Sequence, residues 1–302
     1  MTPFLQEQLN FLVNLSHHRT PFWDKFFLVA DYLDSVYCIF LLASILWLAI
    51  SWRWGIRFFY LMLISASINY FLKIVFGEPR PYTLIPELAL HAVGQNSFPS
   101  GAAQNTLIYA GLLIYVFQRR WAYVLGVIYP LFVGFSRLYL GVHYPTDILG
   151  GYLFGFIILM AFIKLHKPLE SVVTKRPYWS FVLSLFLFAS IIYLYPSPKV
   201  FLFMGTLITI TIGIFFSLMY GLYLQNTSYP SDIFLRSLLG GGTVVIIYLL
   251  LGFSLSPYYP SKVLLSIQGS IIGLWISLFA SPFLKVLIPH TKWMNEHYPL
   301  RR

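Results

Sequence analysis

Between Lys73 and Asp147 three polar clusters interrupt otherwise apolar sequence: Lys73 with Arg80-Pro81, then Pro99-Ser100-Gly101, then Ser136-Arg137 with His143 and Asp147. Lys73, Arg80 and Arg137 supply three positive charges, and Ser100-Gly101 opens an apolar run whose first backbone N–H groups, lacking intrahelical partners, can bind an anion. Cations around a helix N-terminus suit a phosphoryl group. Arg80 lies between Pro79 and Pro81, whose rings restrict the backbone and would aim the guanidinium for a two-pronged grip on phosphate oxygens. His143 precedes Asp147 by four residues, close enough across one turn for the carboxylate to hold one ring nitrogen and leave the other as nucleophile or base. Taken singly, Lys73 and Arg137 could merely reach from helix ends to the membrane surface, His143 could be a packed histidine, and Asp147 could cap the helix starting at Ile148. A charge at a bilayer centre costs about 2.5 to 3.5 kcal/mol. Their gathering in one stretch therefore asks for a shared task.

The elements that must position these residues are helices in a bilayer. The chain has 302 residues, 58% hydrophobic and 10% charged, where an average soluble domain carries about 25% charged. Its formal charge of +10 is scattered in short groups between apolar stretches, which argues against a nucleic-acid partner and for membrane orientation. Cys38, the one cysteine, allows neither an intramolecular disulfide nor a thiolate metal site. Residues 1 to 20 lack the pattern of a cleaved signal peptide.

Residues 4 to 14 and 22 to 33 mix apolar and charged positions and are too short to span, so they read as amphipathic helices at the membrane interface, or else as a cap over the site. Spanning helices are expected at 35 to 52, 58 to 76, 101 to 118, 121 to 140, 147 to 166, 177 to 195, 199 to 224, 235 to 255 and 261 to 283: an all-α, polytopic membrane protein of nine spans. Thirteen of the twenty Lys and Arg residues then fall on one face and seven on the other, which makes the first face cytoplasmic and puts the three clusters outside, with the C-terminus inside. The break near 167 to 176 divides the chain into interfacial helices (1–34), a five-helix catalytic core (35–170) and a four-helix region of unknown role (171–302). Tyr144-Pro145-Thr146-Asp147-Ile148 recurs loosely as Tyr229-Pro230-Ser231-Asp232-Ile233, which helix capping explains without a duplicated site.

The clusters resemble the three-part signature of the type 2 phosphatidic acid phosphatase superfamily: Lys73 with six residues before Arg80-Pro81, Pro99-Ser100-Gly101, and Ser136-Arg137 with five residues before His143 and three more before Asp147. The likeness covers residues 35 to 166. It implies a membrane phosphatase that acts on a lipid-linked phosphate monoester or pyrophosphate without metal or other cofactor. In it His143 would attack phosphorus to give a phosphohistidine, Asp147 would orient the ring, and Lys73, Arg80, Ser100, Gly101 and Arg137 would hold the phosphoryl oxygens. One position departs: the family reads Pro-Ser-Gly-His, and this chain reads Pro99-Ser100-Gly101-Ala102. The histidine that the resemblance casts as general acid is missing, so this form is expected to be impaired or inactive.

Two neighbours have open roles. His91, in the loop between the first two clusters, could contact substrate, replace the acid or be solvated, and Glu78 could weaken anion binding or orient Lys73. Only Glu78, Glu87 and Asp147 are acidic near the clusters, too few for a two-metal centre, and the three cations already supply the charge that metals would bring. A protein that binds or moves lipid phosphates without cleaving them, or a phosphatase for soluble esters, are the rival readings. Retention of a nucleophile with its orienting carboxylate speaks against the first.

Overall fold

A computed structural model of the chain describes residues 2–94, 96–175, 198–224, 226–227, 229–255, 261–288 and 290–291. Among these residues the fold is helical and contains no strand, with an isolated bridge between Pro79 and Asn96. The helices are α1 (Pro3–His17), α2 (Pro21–Ala30), α3 (Val36–Ile45), α4 (Trp52–Phe76), α5 (Pro81–Leu84), α6 (Gly101–Phe117), α7 (Arg120–Tyr139), α8 (Pro145–Lys175), α9 (Pro198–Tyr220), α10 (Pro230–Ser254) and α11 (Lys262–Leu287). Many begin where local chemistry dictates. Thr2 and Thr20 accept the N–H groups of Leu5 and Trp23, with Pro3 and Pro21 at the first helical position, and Ser100 and Ser261 cap α6 and α11 in the same way.

Among the described residues six helices are long and apolar enough to cross a membrane: α4, α7, Pro145–Ser171 of α8, Val200–Ser217 of α9, α10 and α11. Counting Pro21–Leu33 with Cys38–Ile50 as one span would make seven, and α6 is apolar but has 17 residues. The expected nine are therefore not reached among the described residues, and the span expected at 177 to 195 lies outside them. The protein is an integral membrane protein.

The chain forms two compact units, one of Met1–Ser35 with Leu61–Pro168 and the other of Val36–Tyr60 with Leu169–Arg302. This differs from a core of 35 to 170, because residues 36 to 60 find their partners late in the chain: Phe40 stacks on Phe203, and Trp52 lies flat on Tyr223 with ring centroids 4.5 Å apart. Within this second unit α9 and α11 touch backbone to backbone. A Cβ on Gly205 would sit 2.0 Å from Ser266 O, and one on Gly269 2.0 Å from Leu202 O, so small residues set the helix separation.

The first unit contains every residue of the three clusters. Its N-terminal segments form α1 and α2, and their apolar faces pack on this unit. Leu9 and Leu12 bury against Leu88 and Tyr144, while Phe27 and Ala30 bury against Tyr139, Leu140 and Val142. Both therefore cover the turn that carries His143. Gly151 and Gly155 press α8 onto the start of α6, each with room for no side chain against Ser100 O and Gln104 O.

Candidate active site

Four helix ends deliver the clusters to one place. Lys73 lies in the last turn of α4 and Arg137 in the last turn of α7, while α6 begins after Ser100 and Asp147 lies in the first turn of α8. Cations at helix C-termini and an anion at an N-terminus both suit the helix dipole, and at the start of α6 Ser100 Oγ takes the Ala103 N–H, which leaves the Gly101 and Ala102 N–H groups without an intrahelical partner. Two glycines make the reversals: Gly77 (φ +60°) ends α4, and Gly141 (φ +70°) turns the chain from α7 to His143, passing so near Leu88 that a Cβ would meet its carbonyl oxygen at 1.9 Å. Ser100 N–H then donates to Asp147 O at 2.9 Å, which ties the second and third clusters together, and Val142 N–H donates to Arg137 O at 3.2 Å within the third.

His143 is the centre of the site. Its side chain is 6% exposed and that of Asp147 is fully buried. Arg80 Nη1 lies 3.2 Å from His143 Nε2 and Asp147 Oδ2 lies 3.1 Å from Nδ1. A guanidinium can only donate, so Nε2 is the acceptor, the ring proton is on Nδ1, and Nδ1–H donates to Asp147. Asp147 Oδ2 also accepts Tyr144 N–H at 2.7 Å and the Ser97 hydroxyl, so the carboxylate is pinned from three sides. Burial pushes the His143 imidazole down to about 3 against the upward pull of Asp147, with Arg80 and Lys73 adding to the downward push. The ring is neutral at physiological pH, with a lone pair on Nε2 facing a cation.

The cations are held ready. Arg80 is 6% exposed and donates through Nε to Gly94 O and through Nη1 to Val142 O at 2.7 Å. Lys73 Nζ donates to Asn96 O and Ser97 O, each at 2.8 Å, and among the described residues no ion pair joins it to Glu78. At the start of α6, Asn69 Nδ2 donates to Pro99 O and Gln104 Oε1, and a Cβ on Gly101 would approach Asn69 Oδ1 to 3.2 Å. Ala102 is buried in that first turn, and its methyl group offers no proton. Arg137 is buried but turned elsewhere: Nη1 pairs with Asp31 Oδ1, while Nε and Nη2 point at Ser136 Oγ, each at 3.2 Å. The second oxygen of Asp31 lies 3.3 Å from His91 Nε2.

Residues 54–170 match the family model of the PAP2 superfamily. A lipid A 4'-phosphatase of Bacteroides thetaiotaomicron is 31% identical over 152 residues, 45% of this chain and 67% of that one. The undecaprenyl-diphosphatase BcrC of Bacillus subtilis is 30% identical over 173 residues, 53% of this chain and 85% of its own length. The chain belongs to the PAP2 superfamily. The crystal structure of Aquifex aeolicus LpxE aligns over 52% of this chain and 94% of that chain at 27% identity, with a TM-score of 0.46.

The PAP2 match covers the three clusters and stops near the end of the first unit. Within this PAP2 chain, Lys73, Arg80, Ser100, His143 and Asp147 converge on one another directly or through the Ser97 segment, whereas the Arg137 side chain is bonded to Asp31 and Ser136 and, among the described residues, to none of those five. Three side chains escaped the reading of the sequence. Ser97, Asn69 and Asp31 lie outside the clusters, and each acts through a contact made across 30 or more residues. Ser97 lies in the loop just before Pro99-Ser100-Gly101, where a short polar run is the only signal.

Proposed function

We propose that the chain is a metal-independent phosphatase that cleaves a lipid-linked phosphate monoester or diphosphate through a phosphohistidine on His143. One observation carries this reading: His143 Nε2 bears a lone pair, with the ring held on its far side by Asp147, and lies 3.2 Å from a buried cation that suits phosphate oxygens. Lys73, Arg80, Arg137 and the N–H of Gly101 that opens α6, the Ser100 N–H being taken by Asp147 O, neutralise the phosphoryl charge in the transition state, the role metal ions play elsewhere. Nε2 forms a bond to phosphorus as the P–O bond to the leaving group breaks. Water then attacks the phosphohistidine and releases inorganic phosphate. The kinship with a lipid A 4'-phosphatase and an undecaprenyl-diphosphatase, and the position of the site at helix ends, support a lipid-linked substrate.

Ala102 stands where this scheme needs a proton donor for the leaving oxygen, so turnover in this form is reduced while binding is retained. Ala102→His raises turnover of a detergent-solubilised lipid phosphate by at least about a hundredfold with little change in KM. Fast turnover by the Ala102 chain with no gain from the histidine would refute the assignment. Faster cleavage of soluble esters than of lipid phosphates at equal concentration would count against a lipid substrate, and loss of turnover with chelator, restored by divalent ion, against the metal-free scheme.

The site faces outward from a prokaryotic inner membrane, with the C-terminus cytoplasmic, on the support of the thirteen-to-seven split of basic residues. Gln95 and Ser197, natural labelling positions for the outer face, lie outside the described residues, but Glu87 is exposed in the same outer loop. An impermeant thiol reagent added to intact cells labels a Glu87→Cys variant, and labels Gln118→Cys only after permeabilisation. The reverse pattern would invert the topology.

A further inference from the structure

We infer that His91, held by Asp31, protonates the leaving oxygen in this chain and sustains the turnover that remains without an acid at position 102. The inference rests on the phosphatase reading above. Cleavage of an alkyl phosphate expels an alkoxide, which needs a proton as the bond breaks. The groups that touch His143 cannot give one: the Arg80 guanidinium does not release protons, the Ser97 hydroxyl donates to Asp147, and Asp147 is the partner of the ring itself. Tyr144, buried beside them, has its phenol pushed up to about 12 by burial, too weak an acid for the task. Lys73 gives two of its three N–H donors to the carbonyl oxygens of Asn96 and Ser97, and in the scheme above its charge stays on the phosphoryl oxygens.

His91 is the remaining imidazole near the site. Its loop is docked, not free: Leu90 N–H donates to Leu140 O at 3.2 Å, Val93 N–H to Tyr82 Oη at 3.2 Å, and Gly94 O accepts Arg80 Nε. Asp31 joins His91 to Arg137, one carboxylate oxygen on each, so His91 is tied through a single carboxylate to a cation that the proposed scheme sets on the phosphoryl group. His91 Nδ1, the nitrogen turned from Asp31, is buried and has no hydrogen-bond partner. This repeats the logic of His143 and Asp147, a carboxylate fixing one ring nitrogen and leaving the other for chemistry. Of the other described histidines in this unit, His17 and His18 are exposed on or beside α1, and His166 lies nineteen residues beyond Asp147 along α8.

The step balances. As His143 Nε2 bonds to phosphorus, the electron pair of the P–O ester bond passes to the leaving oxygen, which takes the Nδ1 proton of the His91 imidazolium and departs as an alcohol. The neutral His91 ring then takes a proton from the water that attacks the phosphohistidine. The P–N pair returns to His143, and both histidines are restored.

The experiment compares dodecyl phosphate, with a poor leaving group, and p-nitrophenyl phosphate, whose leaving anion is stable without a proton. In the Ala102 chain, His91→Gln lowers dodecyl phosphate turnover by about a hundredfold and the dodecyl-to-nitrophenyl ratio by at least about tenfold. In the Ala102→His background the same change costs less than about threefold, since position 102 then supplies the proton. An unchanged ratio, or an equal loss with both esters, would overturn the role of His91 and leave the phosphatase reading standing. If neither ester is turned over in a way that requires His143, the reading itself fails and the inference with it.

Discussion

Two histidine–aspartate pairs built on similar sequence, His143–Asp147 in the first compact unit and His290–Asp232 in the second, show how little the pair itself decides. Tyr144-Pro145-Thr146-Asp147-Ile148 and Tyr229-Pro230-Ser231-Asp232-Ile233 each put an aspartate in the first turn of a long apolar helix, and each aspartate takes a histidine. His143 meets Asp147 at 3.1 Å and His290 meets Asp232 at 2.9 Å, so distance does not separate them. Surroundings do. The His143 side chain is 6% exposed and the His290 side chain 64%. His143 has Arg80 on its second nitrogen and Ser97 on its carboxylate, with the start of α6 bonded to the same turn. Asp232 has Thr227 at 3.3 Å and Arg236 one turn along its own helix. An exposed pair competes with water and holds little energy, whereas a buried pair beside a cation keeps its tautomer and its charge state. A reactive imidazole is thus made by what other helices bring to it.

Breaking the two pairs should have very unequal results. His143→Ala lowers phosphatase turnover, measured in the Ala102→His background, by at least about 10⁴-fold, because the proposed nucleophile is gone, while His290→Ala leaves it within about twofold. Comparable losses in both would mean that the second unit shares in catalysis. Asp147→Asn lowers turnover by about 10³-fold through loss of the tautomer that frees Nε2, and Asp232→Asn leaves turnover within about twofold.

The charge state gives a direct test. With its folded value pushed to about 3, His143 stays neutral at pH 5, and ¹⁵N NMR of labelled imidazoles should show one histidine signal that does not protonate between pH 8 and 5 and vanishes in His143→Ala. The unfolded chain, with an ordinary histidine value of about 6.5, binds this proton first. The stability that neutral His143 contributes is therefore complete above pH 6.5 and is lost as pH falls from there toward 3. A His143 signal titrating near 6.5 would remove the buried nucleophile from the scheme.

The smallest contrast concerns two glycines of matching backbone. Gly141 (φ +70°) and Gly221 (φ +67°) both need the left-handed region, yet a Cβ at Gly141 meets Leu88 O at 1.9 Å and one at Gly221 meets nothing within 4 Å. Gly221→Ala costs about 1 kcal/mol, and Gly141→Ala about 3 kcal/mol or more together with loss of activity, because the turn before His143 must shift. Equal losses in thermal midpoint would show that the approach to Leu88 relaxes freely.

Sequence by itself determined what rests on short range. Apolar stretches marked the helices and the bilayer, because hydropathy belongs to each segment separately. The spacings of Lys73 to Arg80 and of His143 to Asp147 marked out the candidate site proposed for phosphate, because a helix end or one turn converts such spacing into proximity. Ala102 was legible too, as the position where the chain departs from the pattern it resembles. Tertiary structure alone decided the rest. Asp31 reaches Arg137 across 106 residues only because Phe27 and Ala30 seat α2 on the end of α7, and Ser97 reaches Asp147 across 50 only because α6 and α8 pack through Gly151 and Gly155. The same holds for residues 36 to 60, whose aromatic partners Phe203 and Tyr223 lie more than 150 residues away. Such contacts depend on which faces meet, and a face is chosen by the summed burial of the whole helix, which no local spacing encodes.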